Sequence, residues 1–227
     1  MIVITGASRG IGSYLREEFL KAGDPVCGTY NSTPPVSNED GSLSKVDISN
    51  FSDVDEWINK IKYGLDRITL VNCAGINYNC LAHKANLDDW RKVIDVNLVG
   101  TFNVTRKILP IMRDKGFGRI INFSSVVAQT PVAGASAYAA SKAGLWGLTK
   151  SIATENAKKG ITINNLNLGY FDIGMIDQVP LAYLEKIREK IPTGKLCNPK
   201  EIYKTIRFLM ESNEINGTSI DINSALF

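Results

Sequence analysis

The chain has 227 residues, enough to bury the core of one α/β domain, and its 26 basic and 23 acidic side chains leave a net charge of +3. A charge so small and so evenly spread, with no basic arm or aromatic-studded basic run, excludes a nucleic-acid surface, and no stretch of 18 apolar residues is available to cross a membrane. Cys27, Cys73, Cys80 and Cys197 lack metal-ligand or Cys-x-x-Cys spacing, and the lone His83 has no nucleophile elbow beside it, so metal centres and Ser-His-Asp chemistry are excluded as well.

Short β-branched runs alternate with segments of helical period. Strands are predicted at Ile2–Thr5, Val26–Tyr30, Leu43–Val46, Ile68–Asn72, Ile120–Phe123, Thr162–Leu166 and Ser219–Ile222. Helices are predicted at Ile11–Ala22, Asp53–Lys62, Leu87–Met112, Tyr138–Lys158, Leu181–Lys190 and Pro199–Glu211. The strand runs are apolar throughout rather than alternating, as a parallel sheet covered on both faces requires. This order predicts a doubly wound seven-stranded parallel sheet in a single domain spanning residues 1–227, a Rossmann fold. The stretch from Asn31 to Ser44 is the exception, because Pro34, Pro35 and its Asn, Asp, Gly and Ser content oppose a helix; a loop crossover is expected there. Since the first strand runs straight into a glycine turn with no charged leader, a soluble cytoplasmic protein is expected, with its cysteines reduced.

Three glycines, Gly6, Gly10 and Gly12, follow the first strand and open the first helix. Such a turn brings backbone N–H groups and a helix N-terminus against a pyrophosphate. Further along, Tyr138 and Lys142 are spaced i, i+4 and share one helix face, so the ammonium is expected to favour the ionised phenol; Ser125 lies thirteen residues upstream. The end of the second strand carries Tyr30, Asn31 and Ser32 and no carboxylate. An acidic side chain there would hold a ribose 2′-hydroxyl and repel a 2′-phosphate, so NADP(H) is the expected cofactor, with Arg9 either facing that phosphate or exposed in its loop.

The glycine turn, Asn72-Cys73-Ala74-Gly75, Asp95-Val96-Asn97, Ser125 and Tyr138-Ala139-Ala140-Ser141-Lys142 occur in the order of the short-chain dehydrogenase/reductase family, which the chain resembles from residue 1 to about 223. Within the family it most resembles 3-oxoacyl-(acyl-carrier-protein) reductases. The resemblance implies Tyr138 as proton donor, Ser125 as second hydrogen bond to the substrate oxygen, Lys142 as holder of the nicotinamide ribose, and Asn97 as the residue that positions a water. It also implies phosphate-side contacts from Ser8, Arg9 and Ile11 beside Gly6, Gly10 and Gly12. Asp47 and Ile48 match the adenine contact, although Asp47 could equally cap the helix near Asp53. Asn72, Ala74 and Gly75 match the segment at the ribose, where the asparagine steadies the sheet, and Gly169 and Phe171 lie in the segment after the sixth strand.

Three departures from the family stand out. Cys73 replaces an asparagine, Leu168 and Ile173 replace the usual proline and threonine after the sixth strand, and Ser224 and Ala225 replace two glycines near the C-terminus. Ile173 cannot donate the hydrogen bond the threonine makes to the carboxamide. The pocket candidates Tyr78, Val126, Gln129, Tyr170, Met175 and Ile176 are mostly apolar, which suits an acyl chain or a stacked sugar ring. The expected reaction is NADPH-dependent reduction of a 3-oxoacyl thioester, free or bound to a carrier protein; the alternatives are a keto-sugar or other biosynthetic ketone and a non-catalytic NADP-binding protein. Lys115, Lys158 and Lys159 are candidates for meeting an acidic carrier. The two long helices carry more apolar residues than one sheet face covers, so a homotetramer is expected.

Overall fold

The computed structural model describes residues 1–179 and 181–226. Seven strands form one parallel sheet: β1 (Ile2–Thr5), β2 (Val26–Tyr30), β3 (Leu43–Lys45), β4 (Thr69–Asn72), β5 (Gly118–Ser125), β6 (Ile161–Leu168) and β7 (Ser219–Ile222), in the order β3-β2-β1-β4-β5-β6-β7. The order reverses between β1 and β4. In a doubly wound sheet that reversal opens a crevice at the carboxyl ends of the strands.

Alternate side chains of each strand feed opposite layers. Ile2, Ile4, Val71 and Ile121 pack with Leu15 and Phe19 of α1 (Gly10–Lys21) and with Ile202, Ile206 and Leu209 of α7 (Lys200–Glu211). On the other face Val3, Leu70, Ile120 and Ile163 meet α2 (Phe51–Ile61), α4 (Thr101–Lys115) and α5 (Ser136–Asn156) through Trp57, Ile58, Val104, Ile108, Met112 and Ile152. Each of these large side chains adds about 1.5–3 kcal/mol by leaving water.

The connection from β2 to β3 contains no helix, as its prolines dictate. It is fastened by side chains instead. Asn38 bonds both the N–H and the carbonyl of Leu43 at 2.9 Å, and Arg16 of α1 reaches Asp40 and Ser42.

The segment predicted as one helix over Leu87–Met112 differs. It consists of α3 (Leu87–Ile94), a π-helical turn over Asp95–Gly100, and α4, which continues past Pro110 to Lys115. Asn86 caps α3 by accepting from the N–H groups of Asp88 and Asp89. The wide turn inserts an extra residue into the helical ladder and swings Asn97 inward, where it is fully buried. An apolar 3.6 pattern runs through such a bulge without a break, which hides it from periodicity. The remaining helix, α6 (Leu181–Lys190), follows the loop after β6.

Inside the α4/α5 layer the sheet carries an in-register row of polar residues. Asn72, Asn122, Asn165 and Ser219 are register partners across β4 to β7. Asn72 donates to Asn122 and to Thr105, Asn122 to Thr149, Thr149 to Asn165, and Asn165 to Ser219, at 2.8–3.2 Å. Buried amides need such partners, and the row locks four strands against the two helices.

Candidate active site at the carboxyl ends of the strands

Gly6 and Gly10 have φ of +68° and +55°, and no side chain fits their surroundings. A Cβ at Gly6 would lie 2.8 Å from the Cα of Ala74, and one at Gly12 would lie 2.1 Å from the carbonyl oxygen of Gly6. The close approach of β1's turn to the loop after β4 is reinforced by Thr5, whose hydroxyl accepts from the N–H groups of Cys73 and Ala74 at 3.1 Å. Thr29 does the same for the N–H of Gly6 at 3.3 Å. Neither threonine was legible as a site residue, because the contacts join positions far apart in the chain.

Arg9 stands at the N-cap of α1 in an extended conformation and gives the helix no side-chain cap. The first-turn amides of Gly10, Ile11 and Gly12 therefore have no capping side chain from Arg9, and the positive end of the helix dipole points out of the turn with Ser8 beside it. This arrangement fits a dinucleotide pyrophosphate. Arg9, Asn31 and Ser32 are exposed, and Tyr30 is half-buried against the α1 layer.

On the adenine side the structure separates the two readings of Asp47. Asp47 caps no helix, since Asn50 accepts from Ser52 to cap α2; its carboxylate turns back onto Ser49. Ile48 is buried with its side chain against Gly100, where an added Cβ would lie 2.8 Å from it. Asn72 is likewise a buried sheet residue whose amide is spent on Asn122 and Thr105, with Oδ1 lacking a partner. Its side chain steadies the sheet. Gly169 backs directly onto Asn223, and Phe171 is buried, with its backbone bridged to Cys197, so both shape the loop after β6 from within.

The catalytic candidates converge at the ends of β4 and β5 and the first turns of α5. The Ser125 hydroxyl lies close enough to the Tyr138 phenol to favour its ionised form. Ser125 also accepts from the Val127 N–H at 3.2 Å, which fixes its hydroxyl at the start of the turn over Val126–Ala128. Its neighbour Ser124 points into the α5 layer and donates to the Lys142 carbonyl at 2.9 Å, so alternation along β5 separates the two serines. Lys142 is buried, with Nζ 5.5 Å from the centre of the Tyr138 ring and 2.7 Å from the Phe123 carbonyl to which it donates. Asn97 pairs with the backbone of Ile76 in both directions, at 2.8 and 2.9 Å, and donates to Ser141, which donates in turn to the Tyr138 carbonyl. A Cβ on Gly75 would fall 3.3 Å from Asn97 Oδ1 and 3.6 Å from Lys142 Nζ, so these two groups face one small space that the glycine keeps open.

Burial dominates the electrostatics. It pushes the Tyr138 phenol up to about 12, with the Ser125 hydroxyl pulling the other way, although the residue as a whole is only partly covered. It pushes the Lys142 ammonium down to about 8, and the nearby Cys73 thiol up to about 12. Without the nicotinamide charge that was expected to act with Lys142, desolvation outweighs the other influences and keeps the phenol protonated. Such a site holds a proton donor and a hydroxyl side by side, which is what an oxygen gaining negative charge needs.

The pocket candidates separate as well. Tyr78 is tied back by accepting from the Asn86 N–H at 3.0 Å, Met175 is exposed, Ile176 and Tyr170 are half-buried, and Val126 is in the core. Gln129 bonds Asp221 of β7. Lys115, Lys158 and Lys159 lie before the amino ends of β5 and β6, at the opposite end of the strands from Ser125. The eight residues of β5 alone place them roughly 25 Å away, too far to steer a carrier to the crevice.

No cluster of His, Cys, Asp and Glu able to hold a metal occurs among the described residues, and none of their helices is long and apolar enough to cross a membrane. Residues 1–182 match the short chain dehydrogenase family. The chain is 38% identical over 234 residues to an acetoacetyl-CoA reductase of Shinella zoogloeoides, covering 99% of this chain and 97% of that protein. It is 36% identical over 236 residues to a 3-oxoacyl-(acyl-carrier-protein) reductase of Thermotoga maritima (99% and 96%) and 34% identical over 229 residues to that of Rickettsia prowazekii (99% and 95%). With the glycine turn, the Ser125/Tyr138/Lys142 group and these matches in agreement, the chain belongs to the short-chain dehydrogenase family of oxidoreductases.

Proposed function

We propose that this protein reduces the ketone of a 3-oxoacyl thioester to a secondary alcohol, with residues 1–227 acting as one dinucleotide-binding and catalytic domain and NADPH as the cofactor. The observation that carries the reading is the convergence of Ser125 and Tyr138, with Lys142 buried 5.5 Å from the tyrosine ring. Relatives named as acetoacetyl-CoA and 3-oxoacyl reductases, aligned along nearly the whole chain, favour a 3-oxoacyl substrate over a keto-sugar. NADPH is favoured by Arg9 beside the phosphate turn and by the lack of a carboxylate at the end of β2.

When bound, the nicotinamide supplies a hydride to the carbonyl carbon. The chain's own residues then manage the oxygen. Ser125 holds it in place, and Tyr138, protonated at neutral pH, releases its proton as the oxygen becomes a far stronger base than a phenolate. Lys142, with its ammonium brought down to about 8, can pass a proton toward the tyrosine through the space it shares with Asn97, and its charge steadies the transient phenolate. Gly6, Ser8, Arg9, Gly10, Ile11 and Gly12 hold the phosphates, the Tyr30–Ser32 and Asp47–Ile48 backbones flank the adenosine side, and Ala74, Gly75 and the backbones of Gly169 and Phe171 line the path to the nicotinamide.

The reading includes a cytoplasmic homotetramer. Leu87, Val99 and Phe102 are exposed on and between α3 and α4, beside the small residues Ala140, Ala143, Gly144 and Gly147 of α5, and a second copy would cover them. A concentration-independent monomer mass in light scattering overturns the oligomer. For the reaction, NADPH consumption is measured with acetoacetyl-CoA, carrier-bound 3-oxoacyl chains and keto-sugars side by side. Turnover of thioesters well above the sugars is the expected result, and turnover of sugars alone defeats the substrate assignment.

A further inference from the structure

A second polar row runs beside the first, one step closer to the active site. Ser124, Asn167 and Asp221 are register partners on β5, β6 and β7. Asp221 Oδ1 accepts from the amide of Asn167 at 2.7 Å and from the amide of Gln129 at 3.1 Å. Asn167 is buried, and committing its NH₂ to a carboxylate fixes which way the amide points. Its oxygen is thereby left for the indole N–H of Trp146, at 3.1 Å, which also reaches Ser124 Oγ at 3.0 Å. Ser124, with its oxygen occupied as acceptor, turns its own proton to the carbonyl of Lys142. On its other side Asp221 grips Gln129, which closes the turn after Ser125 through the bond from its N–H to the Val126 carbonyl at 2.9 Å.

We propose that Asp221, on the last strand of the sheet, is a positioning residue that sets the turn carrying Ser125 and the helical turn carrying Lys142 at once. Being the one member of this row whose side chain can only accept, it decides the orientation of the neutral amides and hydroxyls that lead inward. It lies exposed at the sheet edge, so its own removal leaves the core intact. The catalytic consequence rests on the roles given above to Ser125 and Lys142; the mechanical consequence does not.

Two readouts keep these apart. Hydrogen exchange of the segment 124–130 reads the clamp directly: Asp221→Ala is expected to speed exchange of the Val127, Gln129 and Thr130 amides, whereas Asp221→Asn, which keeps an oxygen for both amides, stays at the parental rate. Ketone reduction reads its effect on catalysis: Asp221→Ala is expected to lower kcat/KM about tenfold with NADPH affinity unchanged, since small displacements of a positioned group are felt strongly. Asp221→Asn is expected to restore it, and Gln129→Ala added to Asp221→Ala to cost little more than either alone. Parental exchange in Asp221→Ala overturns the proposal, as does an Asn variant as impaired as the Ala variant or additive losses in the double variant. A parent protein that reduces no ketone defeats the functional reading, and the exchange experiment still decides the clamp.

Discussion

The Lys142 ammonium lies 5.5 Å from the centre of the Tyr138 ring yet gives its hydrogen bond to the carbonyl of Phe123, at 2.7 Å. Helical spacing brings the two side chains to one face, as i and i+4 require, but a strand carbonyl competes for the charge. The phenol is left as an acid whose proton is held by burial. Replacing Tyr138 by Phe removes that proton and little else. Turnover is expected to fall at least about a hundredfold while NADPH binding, followed by fluorescence, persists. Near-parental turnover in Tyr138→Phe would falsify the assignment.

Burial of Lys142 also has a stability signature. A lysine with its folded value near 8 and its unfolded value near 10.5 is a charge that folding must desolvate. The penalty is complete below about pH 8 and is relieved as pH rises toward the unfolded value, because between the two the unfolded chain binds more protons. Parent and Lys142→Met proteins are compared by denaturant unfolding from pH 7 to pH 10, without dinucleotide. The parent is expected to gain on the variant by on the order of 2 kcal/mol across that range, and a flat difference contradicts it.

How far these features could be read from the chain depends on whether they are local. The strands, the glycine turn and the Tyr138/Lys142 spacing are carried by neighbouring residues, and their places in the fold follow from pattern alone. Asn97 was legible as a residue but not as the occupant of a π-helical turn, since its neighbours keep an apolar helical rhythm on both sides. Thr5, Thr149, Asn165 and Asn167 carried no signal at all. Their bonds run between strands or from strand to helix, and only the register of the sheet makes an asparagine at 72 meet one at 122. Charge effects were the least legible: desolvation depends on how deeply a group sits, which spacing does not report.

Ser224 and Ala225 have φ of 56° and 63°, a region where a side chain costs about 1 kcal/mol or more. These are the positions at which the resembling family carries glycine. Ser224 gains a contact with Cys197 Sγ at 3.3 Å, but the Ala225 methyl has no such recompense in hydrogen bonding. Ala225→Gly is therefore expected to stabilise the protein by roughly 0.5–1 kcal/mol, the relief of strain exceeding the added freedom of the unfolded chain. Unchanged or lowered stability in urea unfolding would show that the methyl's packing outweighs the strain.

Cofactor choice turns on the end of β2. Tyr30 is half-buried there, Asn31 and Ser32 are exposed, and Arg9 is exposed at the N-cap of α1. No carboxylate stands at this point to repel a 2′-phosphate, and the guanidinium is free of any cap to the helix. Tyr30→Asp is expected to shift the ratio of kcat/KM toward NADH by about 1 kcal/mol, roughly fivefold, through repulsion across partly exposed solvent. Arg9→Ala is expected to weaken NADPH while leaving NADH almost unchanged, and raised salt is expected to shrink that difference because the interaction is screened. Equal kcat/KM for both dinucleotides in the parent protein defeats the NADPH assignment outright. A parent that prefers NADPH but is insensitive to Arg9→Ala would move the 2′-phosphate contact to the exposed Asn31 and Ser32 instead.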